Sequence, residues 1–213
     1  ARKVTASPTP LPQRFIGSNG APEWSPDGKY IAYLSKRGPV LRGDFDTRIV
    51  VRTVATGEER ELVLDLPRIV GVFGGIRWSP DGGSLLVTAQ DAKGRYGLYR
   101  TDVQIGATTP IVREESGGIV YWPAWSPDGK SIFFVRRDFQ QKIRQLVVRD
   151  LETGQEKELL RTAWSHIGRG LALSVDGSQL AFILSDPAAG STSLKVIRTA
   201  GGEPRELLKL RGP

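Results

Sequence analysis

The sequence predicts an all-β protein, a β-propeller of four-stranded antiparallel blades. Three observations carry this. One motif occurs four times, as Trp24-Ser25-Pro26-Asp27-Gly28, Trp78-Ser79-Pro80-Asp81-Gly82, Trp125-Ser126-Pro127-Asp128-Gly129 and the altered Leu173-Ser174-Val175-Asp176-Gly177. The copies are nearly evenly spaced, with steps of 54, 47 and 48 residues between positions 24, 78, 125 and 173. After each copy come short runs of β-branched, aromatic and aliphatic residues, broken by small turn residues. A period of this size marks units that cannot bury their own apolar face and must stack on the next.

The third unit shows the reasoning. Tyr121 to Trp125 reads as a short extended run entering Ser126-Pro127-Asp128-Gly129. Pro sets φ at the first corner of a turn, Asp bonds nearby backbone N–H groups, and Gly takes the left-handed position that ends it. Asp128 and Gly129, with their counterparts Asp27, Gly28, Asp81, Gly82, Asp176 and Gly177, are therefore structural turn residues rather than a catalytic array. With Leu173 and Val175 in place of Trp and Pro, the fourth turn is expected to be looser. A second strand follows at Ser131 to Val135, then a loop from Arg136 to Ile143 and a third strand from Arg144 to Leu151. Glu152-Thr153-Gly154 turns the chain into an outer strand, Gln155 to Leu160.

The other units copy this order. Second strands are predicted at Tyr30–Leu34, Ser84–Thr88 and Gln179–Leu184, and third strands at Arg48–Val54, Gly97–Val103 and Ser193–Arg198. Outer strands are predicted at Glu59–Leu64, Thr109–Val112 and Glu203–Leu208. The blades then cover about 18–66, 67–113, 114–161 and 162–210 of a single domain. The inner-strand Trp is expected to fill the space between neighbouring blades.

Residues 1–17 resemble the tail of a preceding blade, since Thr5-Ala6 followed by X-Pro repeats the pattern at Thr199-Ala200 and Glu203-Pro204. Either a larger ring of six to eight blades continues beyond this chain, or the tail closes the last blade. The fourth unit already has its own outer strand, so the larger ring is favoured, and an incomplete ring is expected to self-associate or to find a partner.

Composition narrows the chemistry. The 213 residues contain no Cys and a single His, His166, which excludes disulfides, thiol nucleophiles and a His-rich metal cage drawn from this chain alone. No apolar run reaches 18 residues, so no membrane insertion is expected. A net charge of +7 favours acidic partners, but Lys and Arg are scattered, which disfavours nucleic acid. Gly-x-Ser-x-Gly, phosphate-loop and paired-ligand patterns are missing, so no enzyme activity and no cofactor are expected. Asp44-Phe45-Asp46 could bind a cation, but two carboxylates alone make a weak site.

Binding residues are sought on the face carrying the loops between strands two and three and between blades. Its aromatic candidates are Phe73, Tyr121, Trp122 and Trp164, because Trp and Tyr are typical interface anchors. Its charged candidates are Arg95, Arg136, Arg137 and Arg169, with His166 alongside. Trp122, three residues before Trp125, stands outside the shared motif, so the fold does not obviously require it.

The run from Trp24 to Ala32, Trp-Ser-Pro-Asp-Gly-Lys-x-Ile-Ala, and its near-copy from Trp125 to Phe133 resemble the TolB-type WD-like propeller repeat family over roughly residues 18 to 210. The resemblance implies a non-catalytic propeller in a periplasmic or otherwise extracytoplasmic setting that binds a protein or peptide. It also reaches the gating propellers of prolyl-oligopeptidase-type serine peptidases, whose catalytic domain would lie outside this chain, and the sensor propellers of bacterial regulators. It implies no catalytic residue within the propeller.

Overall fold

A computed structural model describes residues 18–37, 46–69, 75–115, 117–163 and 166–211. Four antiparallel sheets follow one another along the chain. The first runs β1 (Ser18–Trp24), β2 (Tyr30–Arg37), β3 (Asp46–Thr53), β4 (Glu59–Leu62). In the second, the inner strand is in two pieces, β5 (Arg68–Ile69) and β6 (Ile76–Trp78), both paired with β7 (Ser84–Gln90), which leads to β8 (Tyr96–Asp102) and β9 (Thr108–Arg113). The third is β10 (Ile119–Trp125), β11 (Ser131–Asp138), β12 (Ile143–Asp150), β13 (Glu156–Ala163). The fourth is β14 (His166–Leu173), β15 (Gln179–Asp186), β16 (Ser191–Arg198), β17 (Arg205–Arg211). These are the blades of a propeller, meeting first to second, second to third and third to fourth. The N-terminal tail lies outside the described residues, as does Asp44-Phe45.

The motif folds the same way four times, and its serine is the hub. Ser25 Oγ donates to Asp27 Oδ1 at 2.6 Å and accepts from Tyr30 N–H at 2.9 Å, while Lys29 N–H donates to Asp27 Oδ1 at 3.0 Å. Ser79, Ser126 and Ser174 repeat both bonds. The closing glycines, Gly28, Gly82, Gly129 and Gly177, all sit at φ between 69° and 71°, the left-handed region that strains residues with a Cβ. The fourth turn is not looser. The serine–aspartate network sets the geometry, so losing the Pro does not open it.

Successive turns also touch. A Cβ added to Gly82 would lie 3.8 Å from Pro26 Cδ, one on Gly129 3.9 Å from Pro80 Cδ, and one on Gly177 3.0 Å from Pro127 Cδ. At the same level, Trp78 Nε1–H donates to the Glu23 carbonyl at 3.0 Å, and Trp125 Nε1–H to the Arg77 carbonyl at 3.3 Å. Each tryptophan is thus tied to the blade before it. Trp78 is buried as expected, but Trp24 is 57% exposed, because no described blade stands on its outer side.

The core lies between sheets. Ala32, Leu34, Ile49, Val51 and Leu62 of the first blade pack on Ile76, Trp78, Leu85, Val87 and Val103 of the second. Leu86, Leu98 and Val112 meet Val120, Ile132, Phe134 and Val147. Phe133, Val135 and Leu146 meet Ile167, Leu171, Leu180 and Phe182. Among the described residues, none covers the last blade's outer face in this way. Leu194, which pairs with Ile183 as Leu146 pairs with Val135, is 37% exposed against 0% for Leu146.

Candidate binding face

The inner strands of the first, third and fourth blades shift register at the same place, and the second is interrupted there. The residue three before the motif's first position has positive φ in every blade: Ala21 at 51°, Gly75 at 68°, Trp122 at 51° and Gly170 at 97°. Trp122 therefore does not stand outside the repeat; it occupies the repeat's left-handed position, which two sister blades give to glycine. A bulky residue there costs on the order of 1–3 kcal/mol. The ring is half-buried and set edge-on against Tyr121, with centroids 4.8 Å apart and planes at 83°.

Tyr121 is 4% exposed and packs in the core between the third and fourth blades. Burial pushes its hydroxyl pKa up, against the opposing pull of the Arg144 charge and hydrogen bond and of Arg137. It anchors Trp122 from beneath rather than offering a free surface.

Arg136 and Arg137 lie on β11, not in a loop, since the loop shrinks to residues 139–142. They point to opposite faces. Arg136 Nε reaches Glu114 at 3.0 Å and its NH1 reaches Glu156 at 2.9 Å, while Arg149 holds the other Glu156 oxygen at 3.0 Å. Burial alone would lower the Arg136 pKa, but Glu156 and Glu114 together outweigh it and hold it high. This network ties the second blade to the third and leaves Arg136 little to offer a partner. Arg137 instead stacks over the Phe139 ring, 4.5 Å from its centroid.

Arg95 is engaged as well, with Asp91 at 2.7 Å and Glu115 at 2.5 Å, which clips the β7–β8 loop to the connection entering the third blade. His166 and Arg169 fall within β14, their side chains outside what is described, and Phe73 and Trp164 lie outside the described residues. The structure thus places Arg137 at the loop end of the third blade and joins Tyr121 to Trp122 by ring contact and to Arg144 by a hydrogen bond. Arg144 and Phe139 line one cavity with Arg137 and Lys142 and escape the sequence reading; their signal was the register of the β11–β12 hairpin, hidden while the loop was taken as eight residues.

A second feature sits on the motif side. The inner strands of all four blades border one open groove of roughly 460 Å³, walled by Trp78, Trp125 and Leu173 and crossed by the Glu23–Arg77 pair at 3.0 Å. Among the described residues, no group of three or more His, Cys, Asp or Glu is placed to hold a metal ion. No described helix is long and apolar enough to cross a membrane.

The turn aspartates titrate low because the turn hydrogen-bonds their charged form. Asp176 is lowered from 3.8 to about 2, first by the Ser174 hydroxyl and then by the Ser178 N–H. A carboxylate whose pKa is lower folded than unfolded adds stability above its unfolded value and loses it as pH falls through the folded one. That window runs from 3.8 down to about 2. Ser174→Ala will move the Asp176 midpoint back towards 3.8, read by carboxyl ¹³C NMR titration; an unmoved midpoint would refute the serine's role as hub.

No protein-family model matches the chain. Among curated proteins it is 32% identical over 161 residues to the uncharacterized peptidase YuxL of Bacillus subtilis, covering 76% of this chain and 21% of that protein. It is 29% identical over 139 residues to the uncharacterized protein Atu1656 of Agrobacterium fabrum, covering 65% of this chain and 42% of that one. The chain therefore spans well under half the length of both relatives. Among solved structures, TolB from Acinetobacter baumannii superposes with a TM-score of 0.60 at 18% identity, over 88% of this chain and 56% of TolB. Oligogalacturonate lyase from Vibrio parahaemolyticus gives 0.66 at 16% identity, over 93% and 55%. The fold is a β-propeller similar to those of TolB and of oligogalacturonate lyase, and a shared fold does not fix a function.

Proposed function

We propose that this chain is a non-catalytic binding propeller, one arc of a larger ring, that engages a protein or peptide through the loop end of its third blade. The observation that carries the reading is Trp122. A tryptophan held in left-handed backbone, at a position where two sister blades use glycine and the other alanine, is a strained, half-buried aromatic of the kind that anchors partners. Likeness in fold to TolB supports an extracytoplasmic setting, testable by cell fractionation. Panning a peptide library against the wild-type chain tests the function. Captured peptides should bind at least about tenfold more weakly to Trp122→Ala, the scale of a lost anchor residue. Capture that survives Trp122→Ala unchanged, or no capture, would sink the reading.

A second reading has its own support. The similarity to YuxL, a protein named as a peptidase of which this chain spans 21%, favours an accessory propeller whose catalytic domain lies elsewhere. A Gly-x-Ser-x-Gly segment in the flanking gene sequence, with peptide hydrolysis by the full-length product, would establish it.

A further inference from the structure

The β11–β12 hairpin places like charges where strands normally avoid them. Arg137 and Arg144 are directly opposite partners in the antiparallel register, and their side chains lie on the same face of the sheet. Directly opposed like charges destabilise a strand pair. The sister hairpins avoid the conflict, pairing Lys36 with Thr47, Gln90 with Tyr96 and Ser185 with Thr192 at this position. Only the third blade, the one carrying Trp122, doubles the charge.

The two arginines and Lys142 line a small cavity of about 100 Å³ at the loop end, together with Asp138 and Phe139. Asp138 is the single acid among the described residues lining it, and its Oδ1 accepts the Gln140 and Gln141 N–H groups at 2.8 and 2.9 Å, which ties that oxygen to the turn. Arg144 is only 7% exposed and hydrogen-bonded to the Tyr121 hydroxyl, so its position is fixed by the core beneath. Arg137 is braced on the Phe139 ring. On the far side of β11, by contrast, Arg136 has two carboxylates around it. The strand thus has one face on which two chain carboxylates meet a guanidinium and one on which two guanidiniums line the same cavity.

We propose that this cavity binds a carboxylate, the side chain of an acidic residue in a bound peptide, between Arg137 and Arg144. Guanidinium groups suit this task because their planar N–H forks match the two oxygens of a carboxylate. The inference rests on the peptide-binding reading above and names its ligand chemistry.

The test uses the full chain, with the arginine Nε–H signals followed by ¹⁵N NMR. The probes are glutamate capped as its N-acetyl amide, the capped glutamine analogue, and inorganic phosphate at matched ionic strength. The capped glutamate should shift the Arg137 and Arg144 signals saturably, with the glutamine analogue and the Arg137→Gln variant each at least about tenfold weaker, the scale of one charge-assisted hydrogen bond. Arg136→Gln, on the opposite face, should leave the glutamate affinity unchanged. No shift, an equal response to the glutamine analogue, or tighter binding of phosphate than of glutamate would each overturn the proposal. Peptides captured through Trp122 alongside a silent glutamate titration would leave the binding function standing and remove only its acidic specificity.

Discussion

Gly106→Ala will destabilise the protein by about 3 kcal/mol, while the matching change in the next blade, Gly154→Ala, will cost about 1 kcal/mol. The two glycines end the same turn between the third and outer strands, with φ of 73° and 72°. Each receives the same backbone penalty from a Cβ in the left-handed region, about 1 kcal/mol. The surroundings differ. A Cβ on Gly106 would stand 2.5 Å from the Val63 carbonyl oxygen, main chain of the connection leaving the first blade. On Gly154 the nearest atom is the tip of the Arg149 guanidinium, 3.3 Å away, the far end of a long side chain that can adjust within its ion pair to Glu156. A backbone carbonyl can move only by shifting the link between blades. For a chain of this size the changes correspond to roughly 6–12 °C and 2–4 °C in Tm. Equal losses in a thermal melt would show that the first blade's connection yields as readily as a side chain.

That contrast marks how far the sequence could be read. Four turns at a steady interval disclosed the blades, their strand order and the structural role of Asp27, Asp81, Asp128 and Asp176, because each is dictated by residues within five positions of one another. The serine was legible in the same motif and went unused, although it makes two of the three bonds that close each turn.

What escaped depends on neighbours distant in the chain. Arg136-Arg137-Asp138 looks like a polar loop until Glu114 and Glu156, 22 and 20 residues away, neutralise Arg136 on the strand. The recurrent left-handed position was hidden because its four occupants, Ala21, Gly75, Trp122 and Gly170, share a backbone conformation and nothing else. Trp24 and Trp78 are identical in motif and opposite in exposure, since burial is conferred by the adjoining blade. The site suffered most: Arg144 could not be placed opposite Arg137 until the hairpin's register was known.

The last blade offers the sharpest use of the repeat as its own control. Leu146→Ala will cost about 2–5 kcal/mol, the range for a fully buried leucine that leaves a cavity behind. Leu194→Ala, the same position one blade later, will cost less than about 1 kcal/mol, because a side chain 37% exposed loses little transfer energy and its site stays open to water. The outer-strand partners repeat the comparison: Leu62 and Val112 are each 3% exposed, whereas Leu208 is 53% exposed. Val175 completes the pattern, since it holds the place from which Pro26, Pro80 and Pro127 each press on the next turn, and it is 97% exposed. Urea melts of the two leucine variants therefore report on more than packing. A Leu194→Ala penalty as large as that of Leu146→Ala would mean that this face is covered in solution. A further blade of a larger ring, present in a longer chain, should raise the Leu194 penalty to the Leu146 value and leave the Leu146 penalty where it was.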